Sequence, residues 1–259
     1  MIMLESTLQE FLTIGLFAFL LTFVRIGTAL MSMPGIGDSF TPQRVRLVIA
    51  VGLSLALAPF VAQYVPAELP AMAGLVVLIV AEFIIGLFIG MIARIMMAAL
   101  DTGGMVISFM SGLGNAQVFN PGSATQGSLI GALLSICGMI VVFATNMHHL
   151  LIYGLVNSYE LFPIGNIPGA GDMSQMIAQT VALSFKVGVQ MAAPFMVLSL
   201  MIYICMGILA RLMPQIQVFI LALPLQIMLA TLCLFMTLSV IMLFWVSQFE
   251  NTLMFFFSQ

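Results

Sequence analysis

Charge is the scarcest thing in this chain. Of 259 residues, 6 are Lys or Arg and 9 are Asp or Glu, 6% in all, where a soluble domain carries roughly 25%. A water-facing surface cannot be built from that inventory, so a soluble globular protein is excluded. The basic residues are scattered and the net charge is −3. Nothing here can neutralise a row of phosphates, which excludes a nucleic-acid partner. Cysteine is equally sparse. Cys137, Cys205 and Cys233 are odd in number, lie inside apolar runs and match no metal spacing, so they read as small hydrophobes. The two histidines, His148 and His149, are adjacent. Helical neighbours point about 100° apart and cannot share one metal as a His-x-x-x-His pair does.

Catalytic signatures are missing too. No Gly-x-Ser-x-Gly element occurs, and no Gly-Lys-Ser/Thr follows Ser111-Gly112-Leu113-Gly114-Asn115. The expectation is therefore no enzyme, no cofactor and no metal. No internal repeat or low-complexity tract stands out. The first ten residues are acidic where a cleavable signal would be basic, so the first apolar run is expected to be retained.

What the chain has is apolar surface, 63% of its residues, which makes it an integral membrane protein. Six apolar runs follow one another: 11–33, 45–64, 71–100, 129–155, 176–210 and 215–246. Each is long enough to cross a bilayer as a helix, and the third and fifth are longer than one crossing needs. The fold class is all-α with about six long helical segments. Pro34-Gly35-Ile36-Gly37 breaks the chain after the first run, Pro66 and Pro70 after the second, and Arg211-Leu212-Met213-Pro214 before the last. An acidic, turn-rich connector is expected from Asn157 to Asp172. Six crossings leave both termini on one side. Arg44, Arg46 and Arg211 fall in connectors on the other side, which the positive-inside rule makes cytoplasmic.

Five charges lie within or beside apolar runs: Arg25, Glu82, Arg94, Asp101 and Lys186. Each costs about 2.5–3.5 kcal/mol on insertion scales unless it is paired or hydrated. In the third run Glu82, Gly86, Gly90 and Arg94 step by four, forming one polar, small-residue stripe, with Asp101 close to its line. Glycines there let another helix approach closely, and the charges need partners. Two readings stay open: a polar pathway, or buried ion pairs that fix helix register.

The stretch Asp101 to Ser128 differs from everything around it. It holds six glycines (Gly103, Gly104, Gly112, Gly114, Gly122, Gly127) and Pro121, yet no charge after Asp101. A continuous regular helix through it is not expected. Met105, Val106, Ile107, Phe109, Met110, Leu113, Val118 and Phe119 are too apolar for an ordinary solvated loop, and a loop of this length and character points to function. Soft side chains such as Met105 and Met110 suit a displaceable obstruction.

Three stretches together resemble a known family. They are Arg25-Ile26-Gly27 with Met33 to Gly37 and Thr41 to Arg46; Glu82 to Gly90 with Asp101-Thr102-Gly103-Gly104 and Asn120-Pro121-Gly122; and Gly207 to Phe219 with Ala222-Leu223-Pro224-Leu225. The chain is similar over essentially its whole length to the FliR/SpaR/YscT family, export-gate subunits of flagellar and virulence type III secretion systems. Gln217 stands where the family usually has Asn, and Asn120 where it often has a carboxylate.

The resemblance implies a subunit joined to FliP-like and FliQ-like partners in a pore-forming hetero-oligomer, with FlhB and FlhA on the cytoplasmic side. Unfolded export substrates would pass through the lumen, and the assembly would sit in the bacterial inner membrane at the flagellar basal body. Residues 1–156 would form a FliP-like part carrying the plug loop 101–128, residues 157–176 a connector, and residues 177–259 a FliQ-like hairpin. Gly104, Met105, Phe109, Met110, Gly112, Gly114 and Phe119 would close the pore. Arg211, Pro214, Gln215 and Gln217 would form the cytoplasmic turn. The alternative from another class is a secondary transporter using Glu82, Arg94, Asp101 and Lys186 as a relay and the glycine-rich stretch as a broken helix; carriers of that kind usually show internal repeats. A third reading is an inert assembly scaffold.

Overall fold

A backbone in lipid must satisfy its own hydrogen bonds, which leaves helices or a closed barrel. This chain forms helices. A computed structural model describes residues 2–38, 40–65, 71–114, 128–165, 169–213 and 218–254. Among them are α1 (Ile2–Ser32), α2 (Gln43–Val61) with a 3₁₀ turn at Ala62–Tyr64, α3 (Met72–Met110), α4 (Leu129–Ala144), α5 (Met147–Leu161), α6 (Ala170–Leu212) and α7 (Val218–Leu253). No strand occurs among the described residues. Among the described residues five helices are long and apolar enough to cross a membrane, and α4 with α5, bent by 73° at their break, would make a sixth if the pair forms one crossing. The protein is an all-α integral membrane protein.

Local chemistry accounts for the ends. α1 stops where Pro34 follows Met33 and Gly35 takes φ 87°, with the Gly35 N–H donating to Asp38 Oδ2 at 2.8 Å. α4 starts at Ser128, whose hydroxyl accepts from the Gly131 N–H at 3.1 Å. α6 and α7 continue as helix past Pro194 and Pro224. Neighbouring helices make such breaks tolerable in membrane helices.

Three expectations from the sequence are corrected. The third helix does not end near Asp101 but continues unbroken to Met110, through Gly103 and Gly104. Both glycines are buried and admit other helices, so they serve packing where a loop was expected. The fourth run is two helices, because Asn146 sits in the left-handed region at φ 59°. The connector expected from Asn157 is helical to Leu161, since Ser158 and Tyr159 are buried partners of α1 rather than turn residues.

The chain divides into two compact units that interleave in sequence. One comprises Met1–Ile95, Asn146–Gln179 and Thr252–Gln259; the other comprises Met96–Thr145 and Thr180–Asn251. In the first, Phe17, Leu21, Val61, Tyr159 and Ile164 form the apolar centre, with Tyr64, Leu75, Leu78 and Ile79 against it. Also there, α3 runs parallel to α1 with its small residues on the contact. A Cβ on Gly86 would collide with the Arg25 carbonyl and the Thr28 hydroxyl, and one on Gly90 with the Ala29 carbonyl and the Ser32 hydroxyl. In the second unit α4 folds back antiparallel on α3. Gly104 lies against Gly131, and Gly138 against Leu100 and Met97. Gly103 and Gly188 bring α6 onto α3, where an added Cβ on either would sit 3.0 Å from a backbone carbonyl of the other helix.

Candidate functional site: a sealed charge cluster and a capped helix end

The stripe on α3 meets α1 one step at a time. Arg25 of α1 engages Glu82 bidentately, Nε to Oε2 at 2.5 Å and Nη2 to Oε1 at 2.9 Å. Nη2 also donates to the Phe162 carbonyl at 2.9 Å. Nη1 donates to the carbonyl and the hydroxyl of Ser158, at 3.0 and 3.2 Å. The guanidinium lies 3.9 Å from the centre of the Tyr159 ring. All five guanidinium N–H groups therefore have acceptors, the condition under which a buried arginine is tolerable. Arg25 is 0% exposed and Glu82 1%.

With both partners sealed and every guanidinium donor engaged, the pair joins α1, α3 and the end of α5. Of the two readings of the stripe, the ion pair is the one this geometry carries.

The other charges are placed differently. Arg94 reaches Asp38 at 3.6 Å with its side chain 53% exposed, a weak surface pair. Asp38 is itself tied in, its carbonyl accepting from Arg46 Nη2 at 2.6 Å. Asp101 is exposed and accepts from the Ser135 hydroxyl at 2.5 Å, holding α4 to α3. Lys186 is exposed, with no carboxylate paired to it among the described residues. Of the four residues a relay would need, Glu82 thus has Arg25 as its partner, Arg94 has Asp38, and Asp101 has a serine.

Of the residues expected to close a pore, Gly104, Met105, Phe109 and Met110 lie in the last turns of α3, and Gly112 and Gly114 in the turn that follows. The last four carbonyls of a helix lack intrahelical donors. Here the Ile107 carbonyl accepts from the Ser111 N–H at 2.8 Å, Ser108 from Gly114 at 2.9 Å, and Phe109 from Gly112 at 3.2 Å. The Met110 carbonyl accepts from Gln226 Nε2 of α7 at 2.7 Å. Gly112 takes φ +80°, the left-handed position that ends helices and that glycine adopts without a Cβ clash. A Cβ on Gly114 would lie 2.8 Å from the Phe109 ring, so the ring covers the turn.

Met105 and Phe109, four residues apart on one face, are 48% and 55% exposed. The returning chain is anchored as well, since the Ser128 hydroxyl donates to the Gly104 carbonyl at 3.0 Å. Arg211 is exposed in the last turn of α6, where a cation meets the negative end of the helix dipole. Phe119, Pro214, Gln215 and Gln217 lie outside the described residues.

Sequence reasoning missed Ser158, Tyr159, Asp38, Ser128 and Gln226. Gln226 had a signal, a lone amide flanked by Leu225 and Ile227 in an apolar helix. Ser128 had one also, as a hydroxyl just before a helical run. Ser158 and Tyr159 had none, because only folding brings them to Arg25.

Residues 16–252 match the family described as bacterial export proteins, family 1. The chain is 38% identical to the flagellar biosynthetic protein FliR of Caulobacter vibrioides over 233 residues, 90% of this chain and 93% of that protein. It is 31% identical to FliR of Bacillus subtilis over 86% of this chain and 87% of that one. It is 28% identical to the Yop proteins translocation protein T of Yersinia pestis over 73% of each. The chain belongs to the bacterial export proteins of family 1, the FliR/SpaR/YscT family of type III export-apparatus components.

Proposed function

We propose that this chain is the FliR-type subunit of a flagellar export gate in the bacterial inner membrane and that it closes the channel for unfolded substrates. The observation that carries this reading is the end of α3. It presents two large apolar side chains, Met105 and Phe109, at a fully capped helix terminus that opens into an uncharged, glycine-rich stretch. Lipid would accept such side chains but would not require the capped, glycine-marked turn beside them. A lumen that must close and reopen requires both soft apolar contact and a defined anchor.

In this reading Gly104 packs α4 against α3, Met105, Phe109, Met110 and Phe119 supply the apolar contacts, and Gly112 and Gly114 form the turn. FliP-like and FliQ-like subunits complete the wall, residues 1–156 resembling the former and 177–259 the latter. FlhB and FlhA act on the cytoplasmic side, where Arg211 lies. The test is deletion of residues 106–118 in the assembled gate. The closed channel should then leak small ions; a tight membrane with normal export would sink the reading.

The sealed Arg25–Glu82 cluster favours a second, compatible role as an assembly scaffold. Variants that assemble yet leak separate the two roles.

A further inference from the structure

α7 holds α3 at two points. The Trp245 indole N–H donates to the Met96 carbonyl at 3.0 Å, and Gln226 donates to the Met110 carbonyl at 2.7 Å. The two acceptors lie roughly 21 Å apart along α3 at 1.5 Å per residue. They differ in kind. Met96 is in the middle of a helix, where its carbonyl also has an intrahelical partner. Met110 ends the helix, and its carbonyl has no backbone donor among the turn bonds that satisfy its three predecessors. Gln226 is 2% exposed, so its amide is costly there unless bonded. A Cβ on Gly112 would meet that amide group at 3.6–3.7 Å, so the turn is built against it. Met105 and Phe109 emerge just before this anchored turn, while Ile107 and Ser108 between them are buried.

We propose that Gln226 is a positioning residue for closure: through its single amide, α7 fixes the end of α3 that carries Met105 and Phe109. This rests on the gate reading and adds to it the residue that holds the closing end in place.

The experiment uses the complete gate complex in membrane vesicles, comparing wild type with Gln226→Met, which keeps length without the donor, and with Gln226→Leu. Two quantities are read: small-ion leak, and amide hydrogen exchange over Ser111–Gly114. Each variant should co-purify with its partners, raise exchange at the turn roughly tenfold, as loss of about 1.4 kcal/mol would, and leak where wild type is tight. Raised exchange with a tight channel would overturn the proposal, since Gln226 would then cap α3 without setting closure. Unchanged exchange, or loss of the complex in both variants, would overturn it too. Deletion of residues 106–118 is run alongside. If the deletion leaks and the Gln226 variants do not, only the proposal falls; if neither leaks, the gate reading falls with it.

Discussion

Replacing Arg25 by Met tests whether the charge cluster is structural. The substitution keeps most of the side-chain length and removes five hydrogen bonds at once. It leaves Glu82 as a carboxylate 1% exposed with no cation, and it strips the Ser158 and Phe162 carbonyls of a donor. Breaking one side of a buried pair costs about 3–5 kcal/mol, because the remaining charge stays desolvated. A midpoint shift of about 2–4 °C per kcal/mol for a chain of this size puts the loss at roughly 10 °C.

Glu82→Met should cost about the same for the mirror-image reason. The double variant Arg25→Met/Glu82→Met removes both charges and fills their space with apolar atoms. It should recover to within about 1–2 kcal/mol of wild type, as buried pairs replaced by well-packed hydrophobes often do. The coupling energy of the cycle is then about 3 kcal/mol or more. The assay is thermal inactivation of the detergent-extracted complex, paired with export activity in cells. Two results would refute the reasoning. A double variant as unstable as either single would mean that the cost is not charge desolvation. A double variant that is stable and assembled but cannot export would mean that the charges act in transport, as the relay alternative requires.

Three further outcomes follow from the geometry. Gly90→Leu should abolish folding of the α1–α3 contact, with yield collapsing, because its Cβ meets the Ala29 carbonyl and the Ser32 hydroxyl; Gly27→Ala, with open space around it, should be neutral. Gly112→Ala should cost about 1–2 kcal/mol for its left-handed backbone, and Gly112→Asn less, read by hydrogen exchange at the end of α3. Arg211→Glu reverses the favourable charge at the end of α6 and should reduce recovery of the intact complex on co-purification; unchanged recovery would mean that Arg211 has no part in assembly.

Hydropathy made the helices legible because a membrane segment must be long and apolar, and the breaks after Ser32 and Tyr64 are written in Pro and Gly. It misjudged α3 because the sequence does not say whether a glycine breaks a helix or admits a neighbour. Gly103 and Gly112 lie in one run, yet the first is pressed against Gly188 and the second turns left-handed. The four-residue spacing of Glu82, Gly86 and Gly90 did locate a packed face, since periodicity is local, while Arg94 at the next step is exposed. That Glu82 would meet Arg25, fifty-seven residues earlier, required tertiary structure. The same holds for Gln226, whose oddness in an apolar helix was visible but whose acceptor, a carbonyl 116 positions away, was not.

The measurement that bears most directly on the central claim is the small-ion permeability of the assembled gate with and without residues 106–118. The complex should still assemble around the Arg25–Glu82 cluster and conduct ions in the absence of substrate. An assembled deletion variant that stays as tight as wild type and exports normally would contradict it.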